Sequence, residues 1–252
     1  MKKTAIFCTA LLALACSVTS LASSSNAVPD KQDNTAAAKI HATERHKKAT
    51  SMDLVLILDK SGSMYGLEKD TIGGFNSMLD KQRESNLPVK VTAIMFNNAV
   101  STIYERTDLK KVKNITGKDY IPQGTTALLD AVGNTLSQMK TMPGIDARGN
   151  KVLVVITTDG KENASKEWTY PKVKKLISEL QEKNFEFVFL GANIDAAQTA
   201  QTIGIKKANA VKYKNTSSGV KANFRAVNAM VADYAAGEME AARWKKEVEE
   251  DK

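Results

Sequence analysis

No cysteine follows Cys16 and no histidine follows His46 in this chain of 252 residues. That absence removes Cys/His nucleophilic catalysis, structural zinc sites and imidazole general bases from everything downstream. With two cysteines in all, 42% hydrophobic residues and 25% charged residues, the chain is not a disulfide scaffold, a collagen, a coiled coil, a disordered polymer or a membrane bundle. Aromatic residues are scarce at 6%, and no basic stripe is interleaved with them. The net charge of +8 is therefore a poor argument for nucleic acid, and no nucleic-acid partner is expected. Neither Gly-x-Gly-x-x-Gly nor the phosphate-loop pattern occurs, which excludes the common nucleotide-binding readings. After residue 22 no run is long and apolar enough to cross a bilayer.

The first thing present is an export signal. Met1-Lys2-Lys3, the apolar run from Thr4 to Val18 and small residues through Ala22 reproduce the three regions of a secretory signal peptide, so residues 1–22 are assigned to one. Cleavage after Ala22 is expected, with Ser25-Asn26-Ala27 as a second option. Leu12-Ala13-Leu14-Ala15-Cys16 resembles a lipobox, and lipoprotein processing at Cys16 is the alternative. Either route predicts an extracytoplasmic protein, whether secreted, periplasmic or on the cell surface. Cleavage after Ala22 removes both cysteines, leaving an exported chain stabilised by its core alone. Residues 23–51, rich in Ser, Ala, Asn, Lys and Thr, read as a flexible basic linker. Lys39, Arg45, Lys47 and Lys48 could associate with anionic lipid or wall polymer, although a solvated tether is the simpler account.

From Met52 to Ala236 strands alternate with helices, the pattern of an α/β domain with a mostly parallel sheet covered on both faces. Asp53 to Leu58 is a nearly continuous apolar run of the kind a fully buried parallel strand needs. Leu67 to Gln82 is predicted helical, with Leu67, Ile72, Phe75, Met78 and Leu79 near one face. Val89 to Phe96 and Val100 to Arg106, joined through Asn97-Asn98, form an antiparallel hairpin. Then follow a helix over Leu128 to Lys140, a strand over Val152 to Thr157, and a helix from Pro171 to about Lys183. Phe185 to Leu190 is a strand, Ile194 to Ile203 a helix, Ala210 to Tyr213 an edge strand and Gly219 to Ala235 a closing helix. Residues 237–252 are a charged C-terminal tail that contains Trp244, either a helical extension or a frayed end.

Three turns carry the candidate chemistry. Asp59-Lys60-Ser61-Gly62-Ser63 ends the first strand, Gly124-Thr125-Thr126-Ala127-Leu128 starts a helix, and Thr157-Thr158-Asp159-Gly160 ends another buried strand. Open α/β sheets bind ligands at such carboxyl ends. Two carboxylates and three hydroxyls without a nitrogen or sulfur donor describe a hard-cation site, suited to Mg²⁺, Mn²⁺ or Ca²⁺ rather than zinc. Taken singly each turn has a simpler explanation, because Ser and Thr there cap helices or form turns. Asp130 reads as stabilising a helix dipole, and Lys60 as pointing to solvent.

Taken together, Asp59-x-Ser61-x-Ser63, Gly-Thr-Thr126-Ala-Leu and Thr-Asp159-Gly resemble the metal-ion-dependent adhesion site (MIDAS) of von Willebrand factor type A domains, and the likeness extends over roughly Met52 to Ala236. The resemblance implies a Rossmann-like three-layer sandwich: a six-stranded, mostly parallel sheet whose third strand in sequence is antiparallel at one edge. It also implies that Ser61, Ser63 and, depending on state, Thr126 meet a metal directly, with Asp59 and Asp159 acting largely through ordered water. Thr125 stands where the family more often has glycine. The implied function is adhesion, scaffolding or assembly through a partner protein that supplies a Glu or Asp carboxylate to the metal.

The competing function is a phosphotransferase of the haloacid dehalogenase type, here a metal-dependent phosphatase, which also places an aspartate after its first strand. Such an enzyme needs a second acid two positions later. Ser61 occupies that position, and its hydroxyl cannot serve as the general acid. The expected reading is therefore a binding module and not an enzyme.

Overall fold

The computed structural model describes residues 46–192, 194–238, 244–246 and 248. The 1–22 leader, Cys16, most of the 23–51 segment and most of residues 239–252 lie outside them. Among the described residues no helix is long and apolar enough to cross a membrane.

The sheet forms around β1 (Ser51–Asp59) and β4 (Asn150–Thr158), which pair in parallel. Almost every residue of both is buried, which is why both read as unbroken apolar runs and not as alternating ones. β2 (Val89–Phe96) lies parallel to β1 on its other side, and β3 (Val100–Asp108) returns antiparallel at that edge. β5 (Phe185–Gly191) and β6 (Ala210–Lys212) extend the sheet beyond β4, giving the order β3-β2-β1-β4-β5-β6. Successive strands step outward in one direction from β1 and in the other from β4. The strand order therefore reverses between these two, which opens a crevice at their carboxyl ends.

Alternation along β1 divides the core in two. Leu54, Leu56 and Leu58 face one side, where Phe75, Met78 and Leu79 of α1 (Glu68–Arg83) and Val227, Met230 and Val231 of α5 (Ser217–Ala236) cover them. Val55 and Ile57 face the other side, against Leu128, Val132 and Leu136 of α2 (Leu128–Lys140) and Val173, Ile177 and Leu180 of α3 (Tyr170–Gln181). The short α4 (Ala196–Thr202) joins this second layer through Ala196 and Ala200. Period-2 strands between period-3.6 helices thus give three layers.

The expected elements appear with ends that move by a few residues. Ser51 already belongs to β1, and Ala49 is buried with its N–H donating to the Ala235 carbonyl (2.7 Å). The segment just before β1 therefore packs on the domain. α5 stops at Gly237, which has φ 81°, the left-handed cap that glycine accepts without a Cβ clash. Beyond it, Trp244 (0% exposed) and Val248 join the first core layer, so at these positions the tail is packed, not frayed.

One feature of β1 escapes an apolar-run reading. Asp53 is buried, and its carboxylate accepts from Arg106 Nε (2.8 Å) and Nη2 (3.2 Å) and from Asn150 Nδ2 (2.8 Å). Arg106 reaches inward because β3 is irregular there. The β2–β3 register shifts beside Val91 and Ala93, and Arg106 takes φ 40°, a bulge that turns an edge-strand side chain toward the sheet.

Candidate functional site

The crevice between β1 and β4 gathers the three turns. Asp59 is the last residue of β1, and Ser61 and Ser63 follow in a tight turn whose Gly62 N–H donates to the Gly124 carbonyl (3.1 Å). That bond, with Gln123 N–H to the Lys60 carbonyl (2.9 Å), holds the second turn against the first. Asp159 directly follows β4.

Four of the five expected residues, Asp59, Ser61, Thr126 and Asp159, are almost fully buried, while Ser63 lies at the exposed rim. Thr125 is exposed and Thr126 is buried, so the inward hydroxyl of the second turn belongs to Thr126. A Cβ added at Gly160 would lie 2.8 Å from Thr126 Oγ1, 3.6 Å from Ser63 Oγ and 3.7 Å from Ser61 Oγ. Three hydroxyls from the first two turns therefore surround one point beside the third, and a side chain at position 160 would fill it. Ser61 Oγ and Ser63 Oγ are 3.2 Å apart, and Ser63 Oγ donates to Asp159 Oδ1 (2.6 Å).

The two carboxylates are held by donors. Asp59 Oδ1 accepts from the Ser61 N–H (2.6 Å) and Oδ2 from Thr158 Oγ1 (2.5 Å). Burial lifts the Asp59 carboxyl from 3.8 to about 6, against the opposing hydrogen bonds from Thr158 and Ser61. The neighbouring Asp159 charge pushes in the same direction as burial. Burial likewise raises Asp159, opposed by hydrogen bonds that include those from Ser63 and Asn215. Two desolvated carboxyls above their ordinary range are acids that a nearby positive charge would return to the ionised form. The donor set is all oxygen, the kind of ligand that a hard divalent ion takes.

Several supporting residues carry no signal in sequence spacing. Asn215, just before α5, donates to Asp159 Oδ2 (3.0 Å) across 56 positions of chain. Tyr120, buried, donates its phenol to the Asp59 carbonyl (2.7 Å). Asn163 Oδ1 accepts from Thr126 N–H (2.9 Å), and the Thr126 carbonyl accepts from Asn163 N–H (3.0 Å), a reciprocal clamp on the second turn. Glu162 accepts from Leu129 N–H at the start of α2 (2.9 Å) and from Ser165. Asp130 does more than face a helix dipole: it accepts from the backbone N–H groups of Lys166, Glu167 and Trp168 and so fastens the loop after β4 to α2. Lys60 is half-buried with Nζ 3.4 Å from Ser101 Oγ, a weak contact toward β3.

Comparison with known proteins agrees with this architecture. The chain matches the von Willebrand factor type A domain over residues 53–226. No curated protein sequence matches it. Among solved structures it is similar to proximal thread matrix protein 1 from the mussel byssus, with a TM-score of 0.52 at 15% identity over 75% of this chain and 49% of that one. A second structure of that mussel protein, described as having a zinc-occupied MIDAS motif, gives 0.51 at 14% identity over the same shares of the two chains. The pilus adhesin SpaC from Lactobacillus rhamnosus GG, in its open conformation, gives 0.54 at 16% identity over 75% of this chain and 31% of that one. The chain thus spans about half or less of the length of these solved proteins, and at such identities the likeness concerns the fold. Type A domains commonly mediate metal-dependent protein interaction and adhesion. With the family matched over residues 53–226, well over half of the chain, this chain belongs to the von Willebrand factor type A domain family.

Proposed function

We propose that Asp59, Ser61, Ser63, Thr126 and Asp159 hold a divalent cation, Mg²⁺, Mn²⁺ or Ca²⁺, as a MIDAS, and that an exported protein uses it to engage a Glu or Asp of a partner protein. The observation that carries this reading is the convergence of the Thr126, Ser63 and Ser61 hydroxyls within 2.8, 3.6 and 3.7 Å of one point beside two buried carboxylates. A dication held mostly by neutral hydroxyls keeps much of its charge, so it supplies a strong site for an incoming carboxylate. This chain's own part is to position: Thr158 and the Ser61 N–H orient Asp59, Asn215 orients Asp159, and Asn163 holds the Thr126 turn. Binding without catalysis is the consistent role, since Ser61 stands where a phosphatase would need an acid.

The surroundings suit a protein ligand. Tyr65 (80% exposed) and Ile121 (54% exposed) are the two most exposed large apolar residues among those described, and both lie on the loops that frame the site. Exposed Lys161 lies close by on the third turn. Tyrosine is among the residues that most often act as binding hot spots. Tyr65→Ala is expected to weaken partner capture roughly tenfold, the scale of one good anchor, while metal uptake stays unchanged. Competition binding against wild-type protein measures this.

The test of the function is affinity capture from an extracytoplasmic fraction, using wild type and Asp159→Ala, each with and without chelator. Partners are expected to be retained by wild type with divalent ion and lost in the other three arms. Capture that ignores both chelator and substitution would remove the site as the contact. Metal uptake is also expected to weaken by about tenfold per pH unit below pH 6, because protons compete for Asp59, whose carboxyl sits at about 6. Titration of Mn²⁺ at pH 5, 6 and 7 measures that slope, and an affinity independent of pH would contradict it.

A further inference from the structure

Directly behind Asp59 lies a small cavity lined by Leu58, Asp59, Thr71, Tyr213, Asn223 and Phe224, among others. It has about 10 Å³ of room for the centre of a water molecule, close to what one water occupies. Three of its lining residues carry buried polar atoms that make no hydrogen bond: Thr71 Oγ1, Tyr213 Oη and Asn223 Oδ1. The three residues are 3%, 3% and 2% exposed, so bulk water does not reach them. They come from different elements, Thr71 from α1, Tyr213 from the residue after β6 and Asn223 from α5.

Unpartnered buried polar atoms are rare in folded proteins, and three around one cavity of this size point to a shared partner. Neighbouring side chains do not provide one. The Tyr120 phenol gives its proton to the Asp59 carbonyl and offers Thr71 only its oxygen, and the Asp59 carboxylate, held by Ser61 and Thr158, makes no bond to Tyr213 or Asn223.

The donor and acceptor count selects the ligand. Asn223 Oδ1 can only accept, Tyr213 Oη has a proton to give, and Thr71 Oγ1 can do either. One molecule with two donors and two acceptor lone pairs satisfies all three. A bare cation would meet the Tyr213 proton unfavourably, and an anion would be repelled by the Asn223 oxygen.

We infer that this cavity binds one structural water, which donates to Asn223 Oδ1, accepts from Tyr213 Oη and bonds Thr71 Oγ1. The water joins α1, the end of β6 and α5 at a node beneath Asp59, and so braces the strand end from which the first turn departs. The inference rests on the geometry of the cavity and is independent of the metal reading.

Two substitutions, Tyr213→Phe that removes a hydroxyl and Thr71→Val that replaces one with a methyl, test it through the sign of their effect. In a hydrated cavity, Tyr213→Phe and Thr71→Val each delete a hydrogen bond to the water. Each should then lower the folding equilibrium constant of the full chain by about three- to tenfold. In a dry cavity the same substitutions delete an unsatisfied buried hydroxyl and raise that constant. Urea unfolding in chelator supplies the comparison, and a rise or no change in both variants overturns the inference. A crystal structure of the full chain provides the second measurement. Density within about 3.2 Å of both Tyr213 Oη and Asn223 Oδ1 is the expected result, and a cavity without such density overturns it.

Discussion

Asp59→Asn is expected to stabilise the metal-free protein by about 3 kcal/mol at pH 7 while eliminating its uptake of divalent cations. The reason is the desolvation that lifts the Asp59 carboxyl from 3.8 to about 6, a difference equivalent to about 3 kcal/mol. Between those two values the folded state holds a proton that the unfolded chain has released. Stability therefore falls as pH rises through the window, and the full penalty is present above pH 6. Asparagine carries no charge to desolvate. Its oxygen can still accept from the Ser61 N–H, and its amide can donate to Thr158 Oγ1, whose own proton can turn to the Gly160 carbonyl at 3.2 Å. Urea unfolding in chelator at pH 7 and pH 4 checks both halves: the variant should exceed wild type at pH 7 and approach it at pH 4. A variant less stable than wild type at pH 7 would mean that the carboxylate is not held at a cost. This site would then lack the mark of binding residues kept at the expense of stability.

Arg106→Leu is expected to destabilise the domain by about 3–5 kcal/mol, the largest single effect foreseen. Its guanidinium is the charged partner of Asp53, which is buried at the amino end of β1 and otherwise accepts from Asn150. Removing the arginine leaves a carboxylate in a nearly dry setting with one neutral donor. The double variant Asp53→Asn/Arg106→Leu should recover most of the loss, because no unpaired charge then remains. Metal uptake by the folded fraction should be unchanged in both, since Asp53 and Asp59 stand at opposite ends of one strand, about 20 Å apart. Thermal or chemical unfolding of the two variants measures the cycle. A loss under 1 kcal/mol in Arg106→Leu would show that solvent, and not Arg106, satisfies Asp53.

These two sites mark where sequence reasoning reached and where it stopped. Asp59, Ser61, Ser63, Thr126 and Asp159 were legible because each lies at a fixed offset from an element end, and because buried parallel strands announce themselves as apolar runs. The first and third turns meet because β1 lies beside β4, and the second joins them through the backbone bonds of Gly62 and Gln123. The pairing of Asp53 with Arg106 was not legible. It depends on a bulge in β3 that places Arg106 at φ 40°, and a single charged residue inside an apolar run does not name its partner. Asn215 is hidden for a related reason: its contact with Asp159 spans 56 positions and belongs to a loop of ordinary composition. Thr157 and Thr158 look equivalent in sequence, and only the pleat of β4 decides that Thr158 turns toward Asp59. Trp244 shows the limit for short segments, since a lone aromatic among charges carries no period, yet it is fully buried.

The central claim is that three turns of this domain build one divalent-cation site with a coordination position left for an acidic partner. Calorimetric titration of Mg²⁺, Mn²⁺ and Ca²⁺ into the full chain at pH 7 tests it most directly, alone and with an acidic peptide present, against Ser61→Ala as control. The expected result is saturable uptake of one ion per chain, tightened by the peptide and lost in Ser61→Ala. No uptake of any of the three ions, or uptake of equal strength in Ser61→Ala, would contradict it.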